Sequence, residues 1–222
     1  MLEQQAARVR HRRDTGENAM SETWIPYVRE EDFPEDLVPA LAYYKSRMNG
    51  VLPNAIKAYL HRPHIAQAFI ALNNAIMRDP GNTLSEEFKR HIGIVVSRAN
   101  GCAYCTSHHA AVLKEKGAHT DEQLACVLSI DESLSDREKA ALRFAREATL
   151  GDHTPSAQTK AALAKHFTPS EIVEIACCIG LWNFTNHVHD ALGMPVEEPM
   201  AGETHWATDS ATEVAARKRR GA

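Results

Sequence analysis

Helical patterning runs through almost the whole chain and restricts its fold more than any other feature. Apolar residues recur at helical spacing between Gly and Pro residues, and the alternation typical of β-strands is nearly absent. The pattern predicts an all-α multi-helix bundle. Its helices are expected to cover about residues 36–48, 51–61, 64–78, 84–99, 103–116, 120–129, 134–149, 155–166 and 170–191.

Helix ends carry their own signals. Capping boxes are predicted at Thr83 with Glu86, Ser135 with Glu138, and Thr168 with Glu171. Left-handed C-terminal glycines are predicted at Gly117 and Gly193. Helix 84–99 carries one apolar face, and the apolar run "IVEIACCIGLW" makes helix 170–191 the expected central core helix.

A weak internal repeat suggests how the bundle is organised. The stretch "LSEEFKRHIGIVVSRANG" at 84–101 aligns with "LSDREKAALRFAREATLG" at 134–151, and "QLAC" at 123–126 aligns with "EIAC" at 174–177. The repeat predicts two similar helical units within a single domain over residues 20–200. Residues 1–19 are expected to be a disordered extension, with Met20 as a possible start, and residues 201–222 a flexible tail.

Composition narrows the classes of function and the compartment. The formal net charge of −4 gives no sign of a nucleic-acid surface, and no window resembles a membrane span or a secretory signal. Five cysteines are too few for a secreted disulfide framework, so a cytoplasmic, reducing compartment is expected. Cys126, Cys177 and Cys178 lie in apolar helical runs and are expected to be core residues.

The stretch "GCAYCTSHH" at 101–109 is the strongest chemical signal in the chain. Asn100 and Gly101 are expected to form a tight turn after the preceding helix. Cys102 and Cys105 would then lie in the first turn of a new helix, where unpaired N–H groups favour a thiolate and two thiols three apart can form a disulfide. His109, one turn beyond Cys105, could accept the thiol proton, and His108 is the competing candidate.

Other interpretations of this stretch stay open. Cys102 and Cys105 could be buried and inert, or they could bind zinc together with His109. One helix hardly offers four tetrahedral ligands, so a zinc site would need His187 and His189 of "NHVHD" to lie nearby. By analogy with thioredoxin-type motifs, the first cysteine rather than the second would be the attacking one.

The stretch "IGIVVSRANGCAYCTSHHAAVL" resembles the signature of the alkylhydroperoxidase D-like group, peroxidase-related branch, of the carboxymuconolactone decarboxylase family. The flanking segments "WIPYV" and "LWNFTNHVHDALGMP" are similar to that branch as well. The resemblance implies that Cys105 attacks a peroxide, that Cys102 closes the disulfide, and that His109 is the relay histidine. It also implies a homo-oligomer, commonly a trimer or hexamer.

One position departs from the family pattern. The family has a glutamate twelve residues before the first cysteine, where this chain has Arg90 followed by His91. We expect His91 to border the apolar face of helix 84–99 and to serve as the base, with Arg90 projecting into solvent or a neighbouring protomer. The alternative is that Arg90 stabilises a thiolate by charge.

The resulting expectation is a thiol-dependent peroxidase or disulfide oxidoreductase. It would act on a hydroperoxide, need a thiol or dithiol reductant, and require no metal or organic cofactor. No membrane or nucleic-acid partner is expected. The alternatives are a non-catalytic helical oligomer and a metal-binding protein that uses the same cysteine and histidine cluster.

Overall fold

The computed structural model describes residues 25–47, 50–117 and 119–201. The expectations for residues 1–19, for Met20 and for residues 202–222 lie outside these residues. Helices dominate the described residues, and no strand occurs among them, so the predicted all-α class is confirmed. No helix among them has the length and apolar character needed to cross a membrane.

The helices match the predicted segments closely. Short 3₁₀ turns at Glu30–Asp32 and Glu35–Leu37 precede the first α-helix. The α-helices are α1 Val38–Arg47, α2 Asn54–Tyr59, α3 Pro63–Arg78, α4 Glu86–Asn100, α5 Ala103–Gly117, α6 Asp121–Ser129, α7 Asp136–Thr149, α8 Ala157–His166, α9 Pro169–Ala191 and α10 Glu198–Ala201.

Two of the three predicted capping boxes are confirmed, those that begin α7 at Ser135 and α9 at Thr168. The third is wrong, because Ser85 caps α4 and its side chain accepts a hydrogen bond from the backbone N–H of Phe88. Thr83 is engaged elsewhere, since both its N–H and its hydroxyl donate to Glu174 on α9, at 3.1 Å each. A tertiary contact has therefore displaced the local cap.

The two predicted C-terminal glycines behave differently. Gly193 takes a φ of 57°, as expected, but Gly117 is the last residue of α5 and is not left-handed. A Cβ on Gly117 would lie 2.5 Å from Nδ1 of His119. Glycine at this position therefore makes room for an imidazole ring rather than supplying a positive φ.

Helix α4, rather than α9, is the most buried helix of the bundle. Every residue from Lys89 to Ser97 is buried, including those on the face expected to be polar. Polar groups can lie there because they are paired, as Lys89 is with Glu174 at 2.5 Å. Helix α9 packs along α4 but leaves Val173 and Phe184 exposed.

The internal repeat corresponds to equivalent helix starts. Ser85 and Ser135, fifty positions apart, both cap their helices, and Gly101 and Gly151 both take left-handed φ values of 78° and 62°. The units α4–α6 and α7–α9 therefore share their start signal, but α4 ends on the left-handed Gly101 whereas α7 ends on an extended Leu150, one residue before Gly151.

Of the three cysteines outside the motif, Cys178 is buried, Cys126 is half-buried and Cys177 is exposed. The core assignment is therefore wrong for Cys177, which lies on the outer face of α9.

Candidate active site

The two cysteines of the motif lie where α4 turns into α5. Gly101 closes α4 with its N–H donating to the Arg98 carbonyl, and the N–H of Cys102 reaches the Ser97 carbonyl at 2.9 Å. This Schellman arrangement confirms the predicted Asn-Gly turn and places Cys102 just before α5. Cys105 falls in the first turn of α5, where backbone N–H groups favour negative charge.

Both thiols are shielded from solvent. Cys102 is 1% exposed and Cys105 is 4% exposed. They belong to a small apolar cluster with Tyr104 of the same helix and Met194 of the segment after α9. Chemistry at these sulfurs therefore takes place in a largely dry environment, where each electrostatic contact counts for more than it would in water.

Helix α9 supplies the partners of Cys105. Nδ1 of His189 lies 3.1 Å from the Cys105 sulfur. Asn186, on the same face of α9, also hydrogen-bonds this sulfur. Asn186 is itself fixed, because its amide nitrogen donates to Ser97 Oγ at 3.0 Å and its oxygen accepts from Asn100 at 2.8 Å.

The environment shifts the pKa values of the two thiols in opposite directions. Burial raises the pKa of Cys105, but hydrogen bonds from Cys102 and His189, together with the charge of His189, outweigh it and hold that pKa well below its usual value. The hydrogen bond to Cys105 is the largest cause that raises the pKa of Cys102, followed by burial. Cys105 is therefore the thiolate of the pair, and Cys102 is the thiol that donates to it.

The ring of His189 is held from its other side as well. Its Nε2 lies 2.8 Å from the hydroxyl of Tyr59, on α2. Burial raises the pKa of Tyr59, so the phenol stays protonated and can either donate to or accept from the ring. Cys105, His189 and Tyr59 thus form a continuous hydrogen-bonded chain across three helices.

His109, the histidine expected to serve Cys105, occupies a different setting. It is 2% exposed, and neither ring nitrogen has a hydrogen-bond partner among the described residues. Its ring stands edge-on to Trp182, with the ring centroids 4.2 Å apart. Burial lowers the pKa of His109 well below its usual value, so the ring is neutral.

A close approach between α4 and α5 fixes the His109 ring. A Cβ on Gly93 would lie 2.5 Å from the ring, which Trp182 also confines. Gly93→Ala is therefore expected to lower the free energy of unfolding by about 1–3 kcal/mol, measured by chemical denaturation. Gly180→Ala on α9 is the control, since a Cβ at that position would have no atom within 4 Å; an equal loss in both variants would contradict the packing argument.

A cavity of about 100 Å³ opens beside the Cys105 sulfur. Rings contribute much of its wall, those of Tyr44, Phe69, Tyr104, His109 and Trp182. Arg90 and Arg78 lie at the polar part of the wall, where both approach Glu86, at 2.7 and 3.3 Å. The cavity could hold a small molecule, mostly apolar, with one end near the thiolate.

The segment after α9 closes over the other side of the dithiol. Glu197 is buried and accepts from the Tyr104 hydroxyl at 3.0 Å, from the Asn54 N–H at 2.5 Å and from His108 at 2.7 Å. His108, the second histidine of the motif, therefore anchors this segment and does not contact Cys105 through any hydrogen bond described.

The buried Glu197 carboxylate should make the closure acid-sensitive. Burial raises its pKa, but hydrogen bonds from His108 and the Asn54 N–H outweigh this and lower it. Its stabilisation is thus present above the unfolded glutamate pKa of about 4.3 and is lost as pH falls through the lower folded value. Between pH 6 and pH 3 the wild type should lose about 1–3 kcal/mol more stability than Glu197→Gln, measured by urea unfolding.

The neighbouring Glu198 is the control for this measurement, because it is exposed on α10. Glu198→Gln should leave the pH dependence of stability unchanged. Equal acid sensitivity in Glu197→Gln and the wild type would show that the buried carboxylate does not carry the effect.

Comparison with known proteins places this arrangement in a family. The model of the carboxymuconolactone decarboxylase family matches residues 63–147, which run from α3 to α7 and include the dithiol turn. Residues 63–147 are therefore similar to the carboxymuconolactone decarboxylase family. This match agrees with the resemblance that the motif residues carry.

Other proteins are similar to the chain in sequence or in fold. The uncharacterized protein YdfG of Bacillus subtilis (strain 168) is 27% identical over 118 residues, covering 50% of this chain and 78% of its own. An uncharacterized peroxidase-related protein from Silicibacter sp. TM1040 superposes with a TM-score of 0.72 at 24% identity, covering 85% of this chain and 99% of that one.

Two further solved structures share the fold. An uncharacterized peroxidase-related protein from Ralstonia eutropha JMP134, described as an alkylhydroperoxidase AhpD core, gives a TM-score of 0.71 at 24% identity, over 79% of this chain and 93% of that one. The debrominase Bmp8 in complex with 2,3,4-tribromopyrrole gives a TM-score of 0.71 at 22% identity, over 87% of this chain and 98% of that one. These likenesses confirm an alkylhydroperoxidase D-like fold.

The structure places Arg90 and His91 differently from the expectation. Arg90 is 7% exposed and shares the cavity wall with Cys105, so the expectation that it projects outward is wrong. The His91 ring instead pairs with His119, with the Nε2 atoms 3.0 Å apart. The structure brings together Cys102, Cys105 and, across the cavity, His109, but not His91.

His189, the partner of Cys105, is not predicted from the sequence. The stretch "NHVHD" suggests only a possible set of zinc ligands. The signal that could have found the partner is the spacing of Asn186 and His189, which places an amide and an imidazole on one face of the apolar helix α9.

Proposed function

We propose that this protein reduces hydroperoxides through a Cys102–Cys105 redox dithiol. The observation that carries the proposal is the Cys105 sulfur, held 3.1 Å from His189 and open to a cavity of about 100 Å³. A thiolate is the nucleophilic form of cysteine, and a neighbouring thiol three residues away is the usual means of resolving its oxidation.

The first step would be attack of the Cys105 thiolate on the terminal oxygen of the hydroperoxide. The S–O bond forms as the O–O bond breaks, so Cys105 becomes a sulfenic acid and the substrate leaves as an alkoxide. The Cys102 thiol and the His189 ring, which lies 3.1 Å from the Cys105 sulfur, are the groups placed to give the alkoxide a proton. His109, neutral and without a partner on the cavity wall, can hydrogen-bond the substrate oxygens.

The second step would close the disulfide. Cys102, once deprotonated, attacks the sulfur of the sulfenic acid and expels hydroxide, which takes a proton to become water. Two electrons pass from the dithiol to the peroxide, giving one alcohol and one water. A thiol or dithiol reductant would then restore both thiols by exchange through a mixed disulfide.

The test is mass spectrometry of the intact reduced protein after one equivalent of hydroperoxide. The expected result is a loss of two hydrogens, mapped to a Cys102–Cys105 disulfide. Cys102→Ser should stop at a sulfenic acid on Cys105, and Cys105→Ser should consume peroxide no faster than protein lacking both thiols. Cys177→Ser is the matched control, because that cysteine is exposed.

A sulfenic acid trapped on Cys102 in the Cys105→Ser variant would reverse the two roles. Full thiol counts after excess peroxide, with no change in mass, would overturn the peroxidase proposal and favour an inert pair.

A second candidate function uses the same thiolate on a halogenated aromatic ring. It is favoured by the ring-lined cavity wall and by the shared fold with a debrominase. The Cys105 thiolate would take the halogen from the ring, the ring carbon would gain a proton, and Cys102 would expel halide on forming the disulfide. Release of bromide from 2,3,4-tribromopyrrole faster than turnover of any hydroperoxide would select this reaction.

Assembly as a homo-oligomer, a trimer or a hexamer, stays a prediction. Large apolar side chains are exposed on α3 and α9, those of Ile65, Leu72, Val173 and Phe184, and a symmetric interface could cover them. Light scattering at micromolar concentration is expected to give a multiple of the 24.6 kDa chain mass, and a strict monomer would contradict it.

A further inference from the structure

We propose that Glu87, His91 and His119 form a binding site for a divalent transition-metal ion, with Zn²⁺ as the probe cation. Their ligand atoms, one carboxylate oxygen and two imidazole nitrogens, all lie within 4.8 Å of one another. The proposal is independent of the thiol chemistry, because none of these residues lines the Cys105 cavity.

The spacing of the donor atoms suits a single ion. The two Nε2 atoms are 3.0 Å apart, and Nε2 of His119 is 3.5 Å from Oε1 of Glu87. Ligands bound to zinc at about 2.0–2.2 Å are separated by roughly 2.8–3.6 Å, depending on whether the angle between them is octahedral or tetrahedral. Two imidazoles and one carboxylate are also a donor set that first-row transition metals accept and that Mg²⁺ and Ca²⁺ do not prefer.

The backbone holds these donors in place. Glu87 and His91 stand one turn apart on α4, so they share a face of a helix that is buried through most of its length. His119 comes from the loop after α5. Its ring lies edge-on to that of His91, with the ring centroids 5.1 Å apart. Its position depends on Gly117, whose missing Cβ leaves room for the ring.

The site has room for further ligands. Glu87 is more than half exposed, with 56% of its side chain accessible, while the His119 side chain is 11% accessible. An ion held by these three residues would thus keep at least one coordination position toward solvent, which water could fill. This is an arrangement of three protein ligands and an open position rather than a closed four-ligand site.

The position of the site in the fold means that a bound ion would link two helices. Helices α4 and α5 pack together, with Gly93 against His109 and His91 against His119, so they form an antiparallel hairpin closed by the dithiol turn. Glu87 and His91 lie near the opposite end of α4, and His119 lies just past the end of α5. A bound ion would therefore tie together the open end of the hairpin that carries the thiols.

The experiment uses the full, tag-free chain, stripped with chelator and kept reduced, and titrated with ZnCl₂ alone. We expect one ion per chain by calorimetry. At a hundredfold excess over Kd, we expect a rise in Tm of about 5–10 °C. His119→Ala should weaken binding by at least about tenfold and abolish the rise in Tm, and Glu87→Gln should weaken binding less. His166→Ala, an exposed histidine at the end of α8, is the matched control and should bind as the wild type does.

Cobalt substitution separates this site from the cysteines. Co²⁺ bound by nitrogen and oxygen gives weak visible bands, whereas a thiolate ligand adds an intense charge-transfer band in the near ultraviolet. A spectrum with that band, or binding that His119→Ala leaves unchanged, would place the ion elsewhere and overturn the proposal. Absence of any binding by the wild type would overturn it as well.

Discussion

Glu174→Gln is expected to lower the free energy of unfolding by about 3–5 kcal/mol, because it leaves a buried lysine charge without its partner. Nζ of Lys89 lies 2.5 Å from Oε1 of Glu174, and the two side chains are 0% and 11% exposed. The same ammonium donates to the Ile76 carbonyl at 2.7 Å, which neutralises no charge. The pair joins α4 to α9, so its loss should lower the free energy of the cooperative unfolding transition, which denaturant titration measures.

Two further variants separate the buried charge from the simple loss of a contact. Lys89→Met combined with Glu174→Leu should recover most of the lost stability, since apolar residues of similar volume replace a buried pair at little cost. Glu132→Gln, which removes an exposed partner of Lys139, should have no measurable effect. If Glu174→Gln matched the wild type, Lys89 would have to be neutral or solvated, against its complete burial.

Much of the fold could be predicted because helix formation is signalled locally. Ser135 and Thr168 cap their helices as expected, and all of the long helical segments are confirmed. The failures have a common cause in tertiary contacts. Thr83 donates to Glu174 instead of capping α4, and Lys89 lies on a supposed solvent face because a distant carboxylate neutralises it.

In the candidate site, too, the local features could be predicted from the sequence and the tertiary contacts could not. The Asn-Gly turn and the position of Cys105 in the first turn of α5 depend on adjacent residues, and both could be predicted correctly. The partner of that cysteine comes from α9, 84 positions away, and no local pattern specifies it. His109 has the spacing of a partner but lies against Gly93 and Trp182, since the packing of α4 and α9 against α5 decides where its ring points.

His189→Leu is expected to slow the reaction of Cys105 with hydroperoxide about 10- to 100-fold near neutral pH. The substitution removes the hydrogen bond and the charge that His189 supplies to the sulfur at 3.1 Å, while burial of the thiol remains. Loss of an opposite charge at this distance raises a thiol pKa by about 1–3 units. Part of the loss in thiolate is offset, because a thiolate of higher pKa is intrinsically more nucleophilic.

The pH dependence of alkylation distinguishes this electrostatic role from a purely structural one. The rate for His189→Leu should reach or exceed the wild-type rate at high pH, where both proteins carry the thiolate and the variant's thiolate is the more nucleophilic, whereas a distorted site would stay slow at every pH. His187→Leu is the matched control, because that ring lies exposed on the same helix and contacts only the Asn183 carbonyl among its described hydrogen bonds. Tyr59→Phe should give a smaller shift in the same direction, since the phenol reaches the sulfur only through the imidazole. If the alkylation profile of His189→Leu coincided with that of the wild type, the Cys105 thiolate would be stabilised instead by Asn186, Cys102 and the N-terminal N–H groups of α5.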